Sequence, residues 1–150
     1  TMMGDTVNLA ARTESGSKAY GAFCMVAEGT QRAAEATRDN IAYRYLEKIM
    51  VKMVKGSPRP VAFYEPIGFK DELSQDTQDC LDCFGKGIEK YLTQDWDGAL
   101  QAFEKAKPLE PNQPAVTPGV DHNPSMVLIE RCQVMKENPP GDDWDGTYPK

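Results

Sequence analysis

"IAYRYLEKIMVKMVKGSPRPVAFYEPIGF", residues 41 to 69, is the stretch on which the fold turns. Its first half alternates roughly in and out up to Gly56, and "RPVAFYEPIGF" does the same after Gly56-Ser57-Pro58. A period of two sends successive side chains to opposite faces of a strand. Two such runs separated by a Gly/Pro break predict an antiparallel hairpin. Toward the N-terminus, "GTQRAAEATRD" (29–39) reads as a short polar helix with Thr30 as its cap, and "AFCMVA" (22–27) as a short buried strand. "TMMGDTVNLAAR" (1–12) reads as a strand end, a Gly-Asp turn and the start of a helix. Asp5 is the expected N-cap, Val7, Ala10, Ala11 and Glu14 keep helical spacing to about Lys18, and Gly21 is a stop. Strand, helix, strand, helix, strand, strand is the order of an α/β layer with helices packed on a sheet.

The composition changes near residue 70, which divides the chain into 1–69 and 70–150. Past "KDELSQD" (70–76) the strand signal ends. A helix is expected over 77–92, with Cys80, Phe84, Ile88 and Tyr91 or Leu92 on one face. A second is expected over 96–107, its stripe made of Trp96, Ala99, Leu100, Phe103 and Ala106, after a turn in "TQDWDG" (93–98). "LEPNQP" (109–114) ends it, "AVTPGVDH" (115–122) is a loop, and "NPSMVLIERCQVMKEN" (123–138) supplies a third helix. The first two resemble a single tetratricopeptide-like hairpin. One such unit cannot stack on copies of itself, so it needs the third helix, the α/β part or a partner to cover it.

A chain of 150 residues fits one domain, or a small domain with an appendage. A net charge of -6 argues against a sequence-general nucleic-acid binder, which needs a basic face to neutralise phosphate. No apolar run approaches the roughly 20 residues of a membrane span, so this segment is expected to make no membrane contact. The core-like N-terminus is not expected to be a signal peptide. Cys24, Cys80, Cys83 and Cys132 form no dense framework, which suits a reducing compartment. Cys80 and Cys83 make a CxxC, but no second CxxC or His pair completes a zinc site, and the lone His122 lies in a Pro/Gly-rich loop. Helix packing is the reading of that pair. "GDDWDG" (141–146) lacks the first acid and the closing glutamate of a calcium loop, so a solvated tail is expected. Trp96, Phe103 and Tyr91 read as core.

Asn8 and Arg12 sit four apart and so share one helix face. Beside the positive end of a helix they would suit a phosphate or another anion. Equally, Asn8 can help to cap the helix while Arg12 pairs with Glu14 or Asp5. Lys55 lies in a stretch with Lys48, Lys52 and Arg59, where a strand-edge lysine is commonly solvated or guards the edge.

"TMMGDTVNLAARTES" (1–15) resembles the signature segment of the class III adenylyl and guanylyl cyclase catalytic domains. "VKGSPRPVAFYEPIG" (54–68) is similar to the closing β-hairpin of that domain. "YLTQDWDGALQAFEKAKPLEPN" (91–112), "LIERC" (128–132) and "NPPGDDWDG" (138–146) look like the helical extension that follows many bacterial cyclase domains. The resemblance runs from Thr1 to about Gly146, with "GDTVNLAAR" its specific part. It implies an α/β fold, the α+β ferredoxin-like class III cyclase core in part, followed by an all-α extension. The implied activity is conversion of ATP to 3′,5′-cyclic AMP and pyrophosphate. Carried over, Asn8 would hold the ribose and Arg12 would stabilise charge on the α-phosphate as the 3′-hydroxyl attacks. Lys55 would contact the triphosphate as a point charge. Thr1 stands at the purine-reading position and favours ATP over GTP. Thr13 and the lengthened "PAVTPGVDH" (114–122) depart from the family pattern in packing and tail geometry.

The family reaction uses two Mg²⁺ (or Mn²⁺) ions held by two aspartates, from a "FxDIxGFT"-type strand and a "GD" hairpin. Neither motif is in the sequence, because Gly4-Asp5 belongs to the "GDTVN" turn. The upstream lysine that partners the purine-reading position is absent too. The resemblance is therefore to the second half of a cyclase domain and its tail, with the metal-binding half expected upstream of Thr1. Residues 1–150 alone are expected to be inactive. The implied partners are ATP and a second cyclase catalytic domain in a head-to-tail homodimer. The implied location is the cytoplasm, or the cytoplasmic side of a membrane-anchored parent. The alternatives are a catalytically inactive cyclase-like regulatory or dimerisation module, and a guanylate cyclase.

Overall fold

The structure, a computed structural model, describes residues 25–37, 39–52 and 55–149. They fall into two compact units, one made of residues up to Asp71 together with Gly146 onward, the other of Glu72–Asp145. Among the described residues the fold is mixed α/β, a three-stranded antiparallel sheet and four α-helices. None of these helices is long and apolar enough to cross a membrane.

In the first unit, strand β1 (Val26–Ala27) runs straight into helix α1 (Glu28–Thr37), and strands β2 (Ile41–Val51) and β3 (Arg59–Phe69) form the hairpin expected from 41–69. The strand order is β1-β3-β2, so β3 is central. Ile41 pairs with Phe69 at the open end and Val51 with Arg59 beside the turn. Gly56 in that turn has φ +91°, a backbone that L side chains rarely adopt.

Two bulges interrupt the ladder: Tyr45 and Glu47 oppose Tyr64 and Phe63 with Leu46 left over, and Ala42 and Tyr43 oppose Gly68 and Pro66 with Ile67 left over. At Leu46 the inward phase changes. Ala42, Arg44 and Leu46 are buried before it, and Glu47, Ile49 and Val51 after it. A bulge allows this because two residues of one strand share one partner on the other. Leu46, Ile49, Val51, Val61 and Phe63 form the centre of this unit's core.

Of "AFCMVA" the described residues are Met25, which is buried, and Val26 and Ala27, which are half-buried. Thr30 is not a cap. The helix begins two residues earlier, at Glu28, whose carboxylate pairs with Arg32 one turn on. An acidic residue in the first turn complements the helix dipole in place of a hydroxyl cap.

The second unit is built on capped helices. Ser74 caps α2 (Gln75–Leu92), its hydroxyl accepting from the Thr77 N–H at 3.2 Å, so this helix begins two residues before the position expected from its apolar spacing. Asp95 caps α3 (Trp96–Ala106) by accepting from the Gly98 N–H at 3.1 Å. A Cβ on Gly98 would lie 2.4 Å from that carboxylate, so a larger residue there would have to push the Asp95 side chain aside. Asn123 caps α4 (Pro124–Glu137), with Pro124 at the first turn, where its missing N–H costs nothing.

Helices α2 and α3 pack as a hairpin through Phe84 and Phe103, ring centres 5.2 Å apart. Gly87 lets them close, since a Cβ there would meet the Phe103 ring at 2.5 Å. Tyr91 rather than Leu92 completes the α2 face, and α4 covers α3 with Leu128, Cys132 and Met135 in the core. The loop before α4 is pinned by buried Glu110, whose carboxylate accepts from both the N–H and the hydroxyl of Ser125.

The acidic "GDDWDG" is not a solvated tail throughout. Trp144 packs edge-on against Tyr91 at 5.2 Å and tilted against Trp96 at 5.8 Å, and Tyr91 and Trp96 lie 5.5 Å apart. Asp142, Asp143 and Asp145 stay exposed while the indole between them is half-buried against these rings. An aromatic ring gains far more from burial than three carboxylates lose by remaining in water around it. Beyond it, the Tyr148 N–H donates to the Lys48 carbonyl at 2.7 Å, and Thr147 lies beside Lys48 in a parallel bridge.

Candidate functional site

The β2–β3 hairpin carries the part of the expected site that the structure describes. From Lys48 to Tyr64 the sequence contains Lys52, Lys55 and Arg59 and no Asp or Glu, within a chain of net charge -6. Lys52, Lys55 and Arg59 are all exposed. Lys55 sits at the tip, one residue before the left-handed Gly56. The bend therefore presents an ammonium to solvent where a compact anion could reach it. A lysine there acts as a point charge, without the planar fork of arginine.

Below the tip, the strands are held by a charge pair that sequence reasoning missed. Arg44 on β2 and Glu65 on β3 are cross-strand partners. The Arg44 Nη2 lies 2.6 Å from Glu65 Oε1, and Nε donates to the same oxygen at 2.7 Å. Both side chains are almost wholly buried, at 5% and 7% exposure. A signal was available: Arg44 falls in the inward phase set by Ala42 and Leu46, where an arginine needs a carboxylate facing it.

The opposite face of the hairpin carries Tyr45 and Tyr64, edge to face at 5.8 Å. The Tyr64 hydroxyl is pushed above the usual tyrosine range, chiefly by burial and then by the Glu28 carboxylate; Arg32 opposes the shift and Glu35 adds to it. Tyr64 is thus a neutral hydroxyl at physiological pH, available as a hydrogen-bond donor and unsuited to act as a base.

Thr1, Asn8 and Arg12, the other residues expected to contact a nucleotide, lie outside the described residues. Lys55 is the one member of the set that the structure places. Among the described residues, no group of three or more His, Cys, Asp or Glu side chains could hold a metal ion. Cys80 is buried in the α2 face, Cys83 is half-buried, and neither they nor Cys132 is in a disulfide. Burial pushes the Cys132 thiol up to about 12, which leaves it protonated and unreactive at neutral pH.

The sequence is 27% identical over 133 residues to the adenylate cyclase, terminal-differentiation specific, of Dictyostelium discoideum. The chain is distantly similar to an adenylate cyclase. The match takes in 88% of this chain and 6% of that protein, so the chain spans only a small part of the relative's length. A match of 133 residues is longer than either compact unit, so it draws on both. No family model matches the sequence, and no solved structure matches the chain.

Proposed function

We propose that the chain is the nucleotide-contacting half of an adenylate cyclase catalytic domain followed by its helical extension, and that the longer protein converts ATP to 3′,5′-cyclic AMP and pyrophosphate. The observation that carries this reading is the similarity to an adenylate cyclase over 88% of the chain, across both the α/β and the helical unit. A shared nucleotide motif would explain likeness in the first unit but not its continuation through the second.

In this reading Thr1 reads the purine and Asn8 holds the ribose, so that the 3′-hydroxyl lies in line with the α-phosphorus. Arg12 stabilises the charge that builds on the α-phosphate as the 3′-oxygen attacks and pyrophosphate leaves. Preorganised charge of this kind lowers a barrier by a few kcal/mol, or about 10²–10³ in rate. Lys55 offsets the charge of the β- and γ-phosphates; its exposed place at the hairpin tip, in a stretch free of carboxylates, supports that role. Mg²⁺ or Mn²⁺ would supply activation of the 3′-hydroxyl. Its ligands are proposed to lie in a segment outside this chain, because neither aspartate motif of the family is in the sequence. A second catalytic domain, arranged head to tail, would bring that segment to Arg12. The ferredoxin-like core belongs to the same proposal, with the antiparallel β1-β3-β2 sheet as its described part.

The test is the longer protein carrying Arg12→Ala, assayed for cyclic AMP with ATP and Mg²⁺. Turnover should fall at least about 10²-fold with the unfolding midpoint unchanged. Undiminished turnover rejects the assignment.

A further inference from the structure

β2 ends the described strand order, with β3 on one side and another segment of the chain on its outer edge. The Lys48 carbonyl accepts from the Tyr148 N–H at 2.7 Å, and Thr147 runs parallel beside Lys48. In a strand the N–H and C=O of one residue point to the same side, so Lys48 turns both toward the tail. Its pairing with Ala62 on β3 is accordingly of the non-hydrogen-bonded kind. The tail enters this position through Gly146, buried and at φ +92°, a conformation that steers the chain sharply after Asp145. An edge residue with both polar groups turned outward is a template for another strand, and proteins cover such edges. Among the described residues the cover is three residues long, and the edge it closes leads, four residues on from Lys48, toward Lys52 and Lys55.

We propose that Gly146–Tyr148 is a latch: a short, detachable strand, bound within the same molecule, that closes the outer edge of β2 and steadies the hairpin tip. A segment this short belongs to the low-stability end of a fold, which opens locally while the rest of the sheet stays paired. Released, it uncovers the Lys48 edge and loosens the basic tip; bound, it holds Lys55 in one place. The latch stands on backbone geometry alone, and only its consequence for Lys55 rests on the nucleotide reading.

The experiment is amide hydrogen exchange on the full chain, comparing Lys48 on β2 with Phe63 on the central strand. Tyr148→Pro removes the N–H that Lys48 accepts and leaves the preceding residue extended. Lys48 should then exchange at least about tenfold faster with Phe63 unchanged. Tyr148→Phe keeps the N–H and should behave as the unaltered chain. Equal Lys48 exchange in Tyr148→Pro and the unaltered chain overturns the latch. Faster exchange at Lys48 and Phe63 alike overturns it too, because the tail is then an integral strand and not a detachable one. Protection at Lys48 that rises with protein concentration assigns the tail to a second copy and overturns the intramolecular arrangement.

Discussion

Arg44 and Glu65 face each other across the hairpin with a guanidinium-to-carboxylate contact of 2.6 Å, and neither reaches solvent appreciably. Each charge was removed from water to be placed there, so the pair is worth less as an attraction than its loss would cost. Removing one partner by Glu65→Gln or Arg44→Met takes the cross-strand charge away from the other in a dry site and should destabilise the first unit by about 3–5 kcal/mol. The double replacement Arg44→Met/Glu65→Leu should recover most of that loss, because two apolar side chains fill the space without an unpaired charge. Urea unfolding of the three variants measures both effects. A double variant as unstable as the singles would show that the strands depend on the charges themselves.

Gly85 and Gly87 lie two residues apart on α2 and should respond to alanine with opposite signs. A Cβ at Gly85 meets nothing within 4 Å, so Gly85→Ala should stabilise the helical unit by about 0.5–1 kcal/mol through helix propensity. A Cβ at Gly87 would sit 2.5 Å from the Phe103 ring, so Gly87→Ala should cost about 1–3 kcal/mol by forcing α2 and α3 apart. Thermal unfolding of the two single variants decides it.

The Cys132 thiol gives the helical unit a pH dependence of known sign. Its folded value is raised from 9.0 to about 12, so the folded state holds the proton more tightly than the unfolded chain does. This stability is fully present below pH 9 and is lost as the pH rises through 9 toward 12. Cys132→Ala has no thiol to titrate. The stability difference between the two proteins should therefore shrink over that window and stay constant below it. A difference independent of pH from 7 to about 11 would remove the thiol from the account.

Lys55→Ala in the longer protein should raise the KM for ATP by about tenfold or more, while leaving the fold intact, because the side chain is exposed. Residues 1–150 by themselves should make no cyclic AMP from ATP and Mg²⁺. Robust product from the purified segment would place the metal chemistry inside this chain.

The hairpin was legible because two runs of period two flank Gly56-Ser57-Pro58, and that pattern has few other folded outcomes. The helices were legible from their stripes, and Ser74, Asp95 and Asn123 fix their starts through side-chain oxygens that the sequence displays. The two bulges were not. Leu46 and Ile67 are apolar residues in apolar runs, and nothing local marks one residue as surplus until both strands are laid side by side. Trp144 was hidden by its company: three aspartates gave "GDDWDG" a solvated look, and the partners that take up the indole stand about fifty residues earlier. Of the expected site, Lys55 was read within the alternating run that ends at Gly56, whereas β2 ends at Val51 and Lys55 lies in the bend beyond it. Thr1, Asn8 and Arg12 depend on the family resemblance and lie outside the described residues.

The surplus residues also bear on how this hairpin can change length. Losing Leu46 or Ile67 would leave the β2–β3 ladder regular with the same inward set on either side, since neither is matched to a residue of the other strand in that register. Losing a paired residue closer to the turn, such as Ile49, would instead rotate everything beyond it to the wrong face. When homologous hairpins are aligned, single-residue gaps should therefore gather at these two positions and be rare between Lys48 and Val51.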